Sequence, residues 1–378
     1  MSNLRTLMPA TMSENTTGQD GSGGQKRDLH LNPLPYTILP GSDDDVLGDK
    51  CCVFVDDGLF NRGLEIEAHR TVLELELAIA IENVRIMPAS PKVIVVTGAN
   101  KGIGAAIVKK LLTQPHTPGA PTRIIYLTAR DPALGHATYT SLLTLRSPHA
   151  IIKFHALDIT STESCEEFKK FLQVTHGYVD VLVNNAGVAW KGDAFDEEVV
   201  RGTLAVNFYG TIRVTTILLP LLRATGREAR IVNISSGSGM LVRLRDPALR
   251  AAFRDPALTE EGLLALLKKF QTDVSADRCL EGGWPKQAYA VSKIGVTAYT
   301  KVLARRLQNV QLAGKGKGKE EDKVLVNACC PGWCRTDMAG ENATQSAEEG
   351  AELPVRLAVG DVGGVTGGWW HEGVVKEW

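Results

Sequence analysis

Tyr289 and Lys293 stand four positions apart in QAYAVSKIGVTAYTKVLARRL. The stretch is helical in pattern, so both side chains project from one face and can reach the same substrate. A phenol with a reference pKa of ~10 is poorly matched to proton transfer at neutral pH. An ammonium held within ~4–6 Å favours the phenolate and lowers that value by ~1–3 units. Such a pair suits a carbonyl under reduction, where a developing alkoxide needs a proton. The same spacing also describes an ordinary surface pair, so the context must decide. That context is RIVNISSGSG, a strand end at which Ser235 or Ser236 can hydrogen-bond a carbonyl oxygen as it gains charge.

A second group of residues has the chemistry of a phosphate cradle. KVIVV runs into TGANKGIG and then into AAIVKKLL, the strand, glycine turn and helix that a dinucleotide pyrophosphate requires. Gly98 and Gly102 permit a tight turn and close backbone approach, while Gly104 lets the helix pack against the sheet. The following strand, RIIYLTAR, ends on Ala129 and Arg130. A guanidinium there offers a planar fork to a ribose 2′-phosphate, and Lys101 adds a second positive charge, which favours NADP over NAD. Asp131 opposes this reading, because a shift of one residue would put an acid beside the ribose.

The elements that must carry these residues follow from hydrophobic periodicity. After Pro91, β-branched runs (KVIVVTG, RIIYLTA, IIKFHALD, VDVLVNN, RIVNISS, KVLVNAC) alternate with helical stretches. This rhythm predicts a Rossmann-type α/β fold, a doubly wound parallel sheet in a single domain over 91–378. Residues 1–90 read as an extension, largely disordered, with a strand expected at 72–82 from the alternation in VLELELAIAIE. That strand either docks on the main domain or another subunit, or belongs to a non-functional extension. RDPAL at Arg130, Arg245 and Arg254 reads as Asp-Pro helix starts and not as a repeat. GKGKGKEEDK, from Gly314, reads as a solvated loop.

Bulk properties narrow the class. A formal net charge of −1 argues against a nucleic acid partner. The 7 cysteines form no framework or zinc spacing, so inert thiols, no metal and a reducing compartment are expected. No uninterrupted apolar run approaches the ~18 residues of a membrane span, and the N-terminus has no signal pattern. A cytoplasmic protein without membrane association is the expectation.

Taken together, TGANKGIG at Thr97, LDI around Asp158, NNAG at Asn184, NFYG at Asn207, NISS at Asn233, YAVSK at Tyr289 and PGWCRTDMAG at Pro331 resemble the classical short-chain dehydrogenase/reductase family over about residues 91–340. The resemblance implies catalytic roles for Ser236 (polarising the carbonyl), Tyr289 (proton donor), Lys293 (tuning the tyrosine and holding the nicotinamide ribose) and Asn207 (anchoring a proton-relay water). Ser238 is a weaker substitute for Ser236. It implies cofactor contacts from Asp158 to adenine, from Asn185 and Gly187 along the ribose, and from Thr336 to the nicotinamide amide. With the glycine turn (Gly98, Asn100, Lys101, Gly102, Ile103, Gly104), Arg130, Tyr289 and Lys293, these make the expected NADPH/NADP site.

Ser236 and Tyr289 are 53 positions apart, far more than the family commonly has, which places a helical insertion at about 238–285. Asp246-Pro247 and Thr259-Glu260-Glu261 are expected to open its helices. This insertion, with EGGWP at Glu281, NACCPGW at Asn327 and the final KEW, resembles the monomeric NADPH-dependent carbonyl reductases. The resemblance implies reduction of a ketone, aldehyde or quinone by a monomer. Trp284 and Met240 either wall the substrate site or pack the core. The rival expectations are a dehydrogenase of a steroid, polyol or secondary metabolite, and a non-catalytic NADP-binding regulator.

Overall fold

The computed structural model describes residues 90–378 except 116–117, 146, 191–193, 223 and 315–322. The strand expected at 72–82, the rest of the extension to residue 89, Cys51, Cys52 and most of the lysine-rich loop lie outside the described residues.

The runs rich in Val and Ile form β1 (Lys92–Val96), β2 (Arg123–Ala129), β3 (Ala150–Ala156), β4 (Val181–Asn184), β5 (Ala229–Ile234) and β6 (Val324–Cys329). They are joined by α1 (Gly102–Thr113), α2 (Pro132–Leu142), α3 (Thr162–Thr175), α4 (Glu197–Leu204), α5 (Thr211–Leu222), α6 (Pro247–Arg254), α7 (Glu260–Ser275) and α8 (Ala288–Gly314). α9 (Ala347–Gly350), α10 (Glu352–Val359), β7 (Trp369–His371) and β8 (Val374–Val375) complete the described chain. The sheet order is β3-β2-β1-β4-β5-β6-β7-β8, parallel except for the antiparallel pair β7 and β8. Apolar cores cover both faces: Ile107, Leu111 and Val355 on one, Phe168, Phe208, Leu267 and Ile294 on the other. Strands buried on both sides have no polar face to alternate, so they read as continuous apolar runs.

Connections leave β1 and β4 in opposite directions, and the order reverses between them. The crevice outside their carboxyl ends is where such sheets bind ligands.

Capping explains the helix starts. Asp131 and Asp246 accept amide bonds at the heads of α2 and α6, each followed by Pro; Thr259 caps α7. The third Asp-Pro, at Asp255, makes a turn instead, accepting from Ala257 N–H at 2.7 Å. α4 and α5 are joined without a break by a π turn over Ala205–Gly210. The combined helix Glu197–Leu222 is long and apolar enough to cross a membrane, but half of its most apolar window is buried within the protein. That burial is what a core helix requires.

The opposite end of the sheet is tied by a buried ion pair. Asp180, fully buried, accepts from Val93 N–H at 2.7 Å and from both arms of the Arg227 guanidinium, one at 2.9 Å. Arg227 also donates to the carbonyls of Ser90 and Pro91 and lies 5.2 Å above the Tyr178 ring. Removing the carboxylate leaves a guanidinium and a strand amide without their partner. Asp180→Ala is therefore expected to lower the free energy of unfolding by about 3 kcal/mol, read by urea denaturation. A loss under about 1 kcal/mol would show that water replaces the carboxylate.

Candidate functional site

A cleft of ≈ 600 Å³ opens at the carboxyl ends of β1, β4, β5 and β6, within the ~300–1,000 Å³ usual for ligand sites. All thirteen of the expected cofactor-binding residues line it, as do Ser236 and Ser238. Asn207 lies just behind the wall, fully buried.

At one end is the glycine turn. Gly98 has φ +61°, and a Cβ there would stand 2.7 Å from the Cα of Ala186. A Cβ on Gly104 would meet Asn185 Nδ2 at 2.4 Å and Gly98 O at 2.6 Å. Both positions exclude any side chain. Thr97 Oγ1 accepts from the amides of Asn185 and Ala186, each at 3.0 Å. Asn185 Nδ2 donates to the carbonyls of Thr97 and Gly98 at 2.9 and 3.0 Å, so this amide braces the turn. No side chain caps α1, and its leading amides face the cleft as an anion site.

Around the rim, Arg130 is exposed beside the cleft. Asp131, the residue that spoke for NAD in the sequence, is committed elsewhere: its Oδ1 accepts from Ala133 and Leu134 N–H at 2.8 and 3.1 Å. Lys101 pairs with Asp337 at 2.8 Å, both exposed, so its charge is shared with a carboxylate that motif reading did not bring into play. Asp158 Oδ1 accepts from Thr160 N–H and Oγ1 at 2.8 and 2.7 Å. Thr336 lies over the glycine turn, its methyl 3.3 Å from where a Gly102 Cβ would be.

At the other end, Tyr289 and Ser236 line the cleft together, and Lys293 Nζ is 5.6 Å from the Tyr289 ring centroid. Both serines reach the cleft wall, but their hydrogen bonds differ. Ser235 is buried and bonds Thr297 Oγ1 at 2.7 Å and Lys293 O at 3.2 Å, whereas Ser236 accepts from Ser238 N–H at 3.1 Å. Asn207 lies in the π turn. Its Oδ1 accepts from Val188 N–H at 2.8 Å, and its Nδ2 donates to Val188 O and Ser292 Oγ at 2.9 and 3.0 Å. The Asn207 side chain thus fastens the segment after β4 to α8. A Cβ on Gly187 would lie 3.3 Å from Asn207 Oδ1 and 3.6 Å from Lys293 Nζ, so this glycine keeps the space between them open.

The electrostatics differ from the expectation that Lys293 depresses the tyrosine. Burial pushes the Tyr289 phenol up to about 12, against a lowering effect from Ser236. Its ring keeps some exposure along the cleft, but protein atoms crowd most of it. Lys293, buried, is brought down to about 8 by desolvation and donates to Ile234 O at 2.7 Å. A lysine so poorly solvated holds its charge weakly and points at a carbonyl, which explains the small pull on the phenol.

Three further residues follow from geometry and not from motifs. Trp333 and Met338, half exposed, line the cleft within PGWCRTDMAG. Cys330 Sγ accepts from Gly237 N–H at 3.1 Å, beneath the serine turn. Trp284, in contrast, is core: it is fully buried, donates from Nε1 to Asp273 at 2.8 Å and packs against Phe253 and Phe270. Met240 packs against the same core and does not line the cleft. Cys165, Cys279, Cys329, Cys330 and Cys334 are free and buried, and no metal-ligand cluster occurs among the described residues.

A family profile described as short chain dehydrogenase matches residues 92–248. The chain is 42% identical over 276 residues to "Carbonyl reductase [NADPH] 1" of Macaca fascicularis, covering 72% of this chain and 92% of that protein. It is 40% identical over 297 residues to the Homo sapiens protein of the same name, covering 77% and 100%. Among solved structures it is similar to salutaridine reductase from Papaver somniferum, at TM-score 0.61 and 28% identity, covering 74% of this chain and 99% of that one. The menthone neomenthol reductase of Mentha piperita gives TM-score 0.60 and 26% identity, covering 76% and 100%.

Lys293 links pH to stability. Its folded value near 8 lies below the ordinary lysine value of 10.5, so in that window the unfolded chain holds a proton that the folded chain has released. Stability on this account is full above 10.5 and is lost as pH falls through 8. Relative to Lys293→Met, the wild type should gain roughly 3 kcal/mol across the window in urea unfolding. A constant difference would place the lysine's folded pKa at its ordinary value.

Proposed function

Since the chain belongs to the short-chain dehydrogenase/reductase family, we propose that it reduces a ketone, aldehyde or quinone to the alcohol with NADPH. The observation that carries this reading is one continuous cleft, with a phosphate cradle at one end and Ser236, Tyr289 and Lys293 at the other. The cofactor's fit rests on the side-chain-free approach at Gly98 and Gly104 and on the uncapped head of α1. The engagement of Asp131 as a helix cap leaves Arg130 as the residue suited to a 2′-phosphate.

NADPH, when bound, supplies the hydride. Ser236 Oγ and the Tyr289 hydroxyl, both lining the cleft, converge on the substrate oxygen, stabilise its growing charge and orient it. Tyr289 then gives up its proton. A phenol pushed up to about 12 keeps that proton at neutral pH until the substrate oxygen takes it. Lys293 holds the ribose, and a water anchored at Asn207 returns the proton to Tyr289. Asp158, Asn185, Gly187 and Thr336 line the remaining course of the cofactor. The half-exposed rings and thioether of Trp333 and Met338 suit an apolar or aromatic carbonyl.

The protein acts as a monomer in the cytoplasm. α7 of the insertion packs on α4 and α8, and Tyr209 OH donates to Gln271 on α7 at 3.0 Å. The insertion therefore occupies a helix face that another subunit would otherwise cover. Free, buried thiols at the five described cysteines are in keeping with a reducing compartment.

Oxidation of NADPH, followed by absorbance against quinones, aromatic aldehydes and ketones, tests the reading. Tyr289→Phe is expected to lower kcat by ~10²–10⁴-fold with NADPH binding nearly unchanged. Tight NADPH binding without wild-type turnover would point to the regulator instead. Arg130→Ala is expected to raise the KM for NADPH by ~10–100-fold and leave that for NADH nearly untouched. Equal effects on both cofactors would remove Arg130 from the phosphate site.

A further inference from the structure

The turn that carries Ser236 is short and rich in glycine, Gly237-Ser238-Gly239, and glycine gives a backbone many alternatives to its native path. It is held at two points. Gly237 N–H is bonded to Cys330 Sγ at 3.1 Å, and at the other end Gly239 O accepts the indole N–H of Trp378 at 2.7 Å. Gly239 N–H closes the turn on Ser236 O at 2.9 Å. Gly239 also lies so close to α8 that a Cβ would be 2.8 Å from the Cβ and carbonyl carbon of Lys293.

Trp378 is itself fixed from two further directions. Its ring is buried, its main-chain oxygen accepts from Arg254 of α6 at 3.1 and 3.3 Å, and the Lys301 ammonium of α8 lies 6.0 Å from its ring centroid. It touches the serine turn, the insertion and the helix of Tyr289 together, and it does not line the cleft. A buried indole N–H with a single acceptor specifies position more than bulk, because any shift of the turn leaves both groups unpaired.

We propose that Trp378 is a positioning residue for carbonyl reduction: its indole N–H fixes the Ser236–Gly239 turn and so aims the Ser236 hydroxyl at Tyr289. The inference rests on the reductase reading of the site. Ser236 also lowers the Tyr289 pKa against the effect of burial, so a loosened turn carries a second signature. The other titratable groups facing Tyr289 are Lys293 on its own helix and Cys330 after β6.

Trp378→Phe keeps a ring in place and deletes the donor. Its kcat for NADPH-dependent reduction should fall about tenfold, with the dissociation constant for NADPH within about twofold of wild type. Alcohol oxidation, which needs the phenolate, should have its rising limb displaced to higher pH. Arg254→Met, at a largely exposed side chain, frees the Trp378 backbone without touching the core and should lower kcat in the same direction by a few-fold. Unchanged kcat and pH profile in folded Trp378→Phe, or in Arg254→Met should the first variant not fold, overturns this inference alone. A silent wild type overturns the reductase reading beneath it.

Discussion

The bond from the Lys293 ammonium to the carbonyl of Ile234 is the contact on which the site's geometry depends. A desolvated ammonium is costly, and a buried carbonyl at hydrogen-bond distance makes it tolerable. Two neighbouring contacts repeat the arrangement. Ser235 bonds Thr297, and Asn233 Nδ2 donates to Thr300 Oγ1 at 2.8 Å. Three consecutive residues, the last two of β5 and Ser235 just after it, thus meet 293, 297 and 300, one stripe of α8. Asn184 extends the network from β4, donating to Asn233 Oδ1 and Thr215 Oγ1. If α8 slid along the strand, every one of these buried groups would lose its partner together, so Tyr289 has one height relative to Ser236.

The cofactor end depends on a different constraint, the lack of atoms. β1 and β4 are adjacent where the strand order reverses, with Val96 beside Val183. The turn after β1 must therefore pass close to the segment after β4. Hydrogen bonds from Asn185 and to Thr97 hold the two together, and the missing side chains at Gly98 and Gly104 let them approach. Hydrogen bonding fixes the reacting groups, while close backbone approach shapes the phosphate cradle.

The six long strands and most of the helices between them were legible because most of the strands are apolar along their length and α2, α3, α4, α6 and α7 each begin at a capping side chain. The glycine turn, the serine turn and the helical Tyr-Lys spacing were legible for a like reason: their chemistry demands those residue types in local order. What escaped was non-local. Asp131 carries two sequence readings, ribose acid and helix start, until α2 is seen to begin on it, and Lys101 reads as a phosphate cation until Asp337, 236 positions away, comes within reach. β7 is three residues long and has no period to detect. Trp284 could face a pocket or a core from sequence; its bond to Asp273, buried by the same insertion, is a tertiary fact. The pull of Lys293 on Tyr289 was overestimated because spacing carries no information on burial.

The π turn at Ala205–Gly210 has a consequence for the phase of its helix. An α-helix turns by ~100° per residue, and a π turn accommodates an extra residue without breaking the rod. Before the turn, α4 packs on α7 and α8; after it, α5 packs on α3 and β4. One continuous rod therefore serves two neighbourhoods whose apolar stripes do not line up, with Asn207 at the dislocation. Removal of one residue there would give a more regular helix and a worse protein, since either the insertion or the sheet would then face the wrong side of the rod.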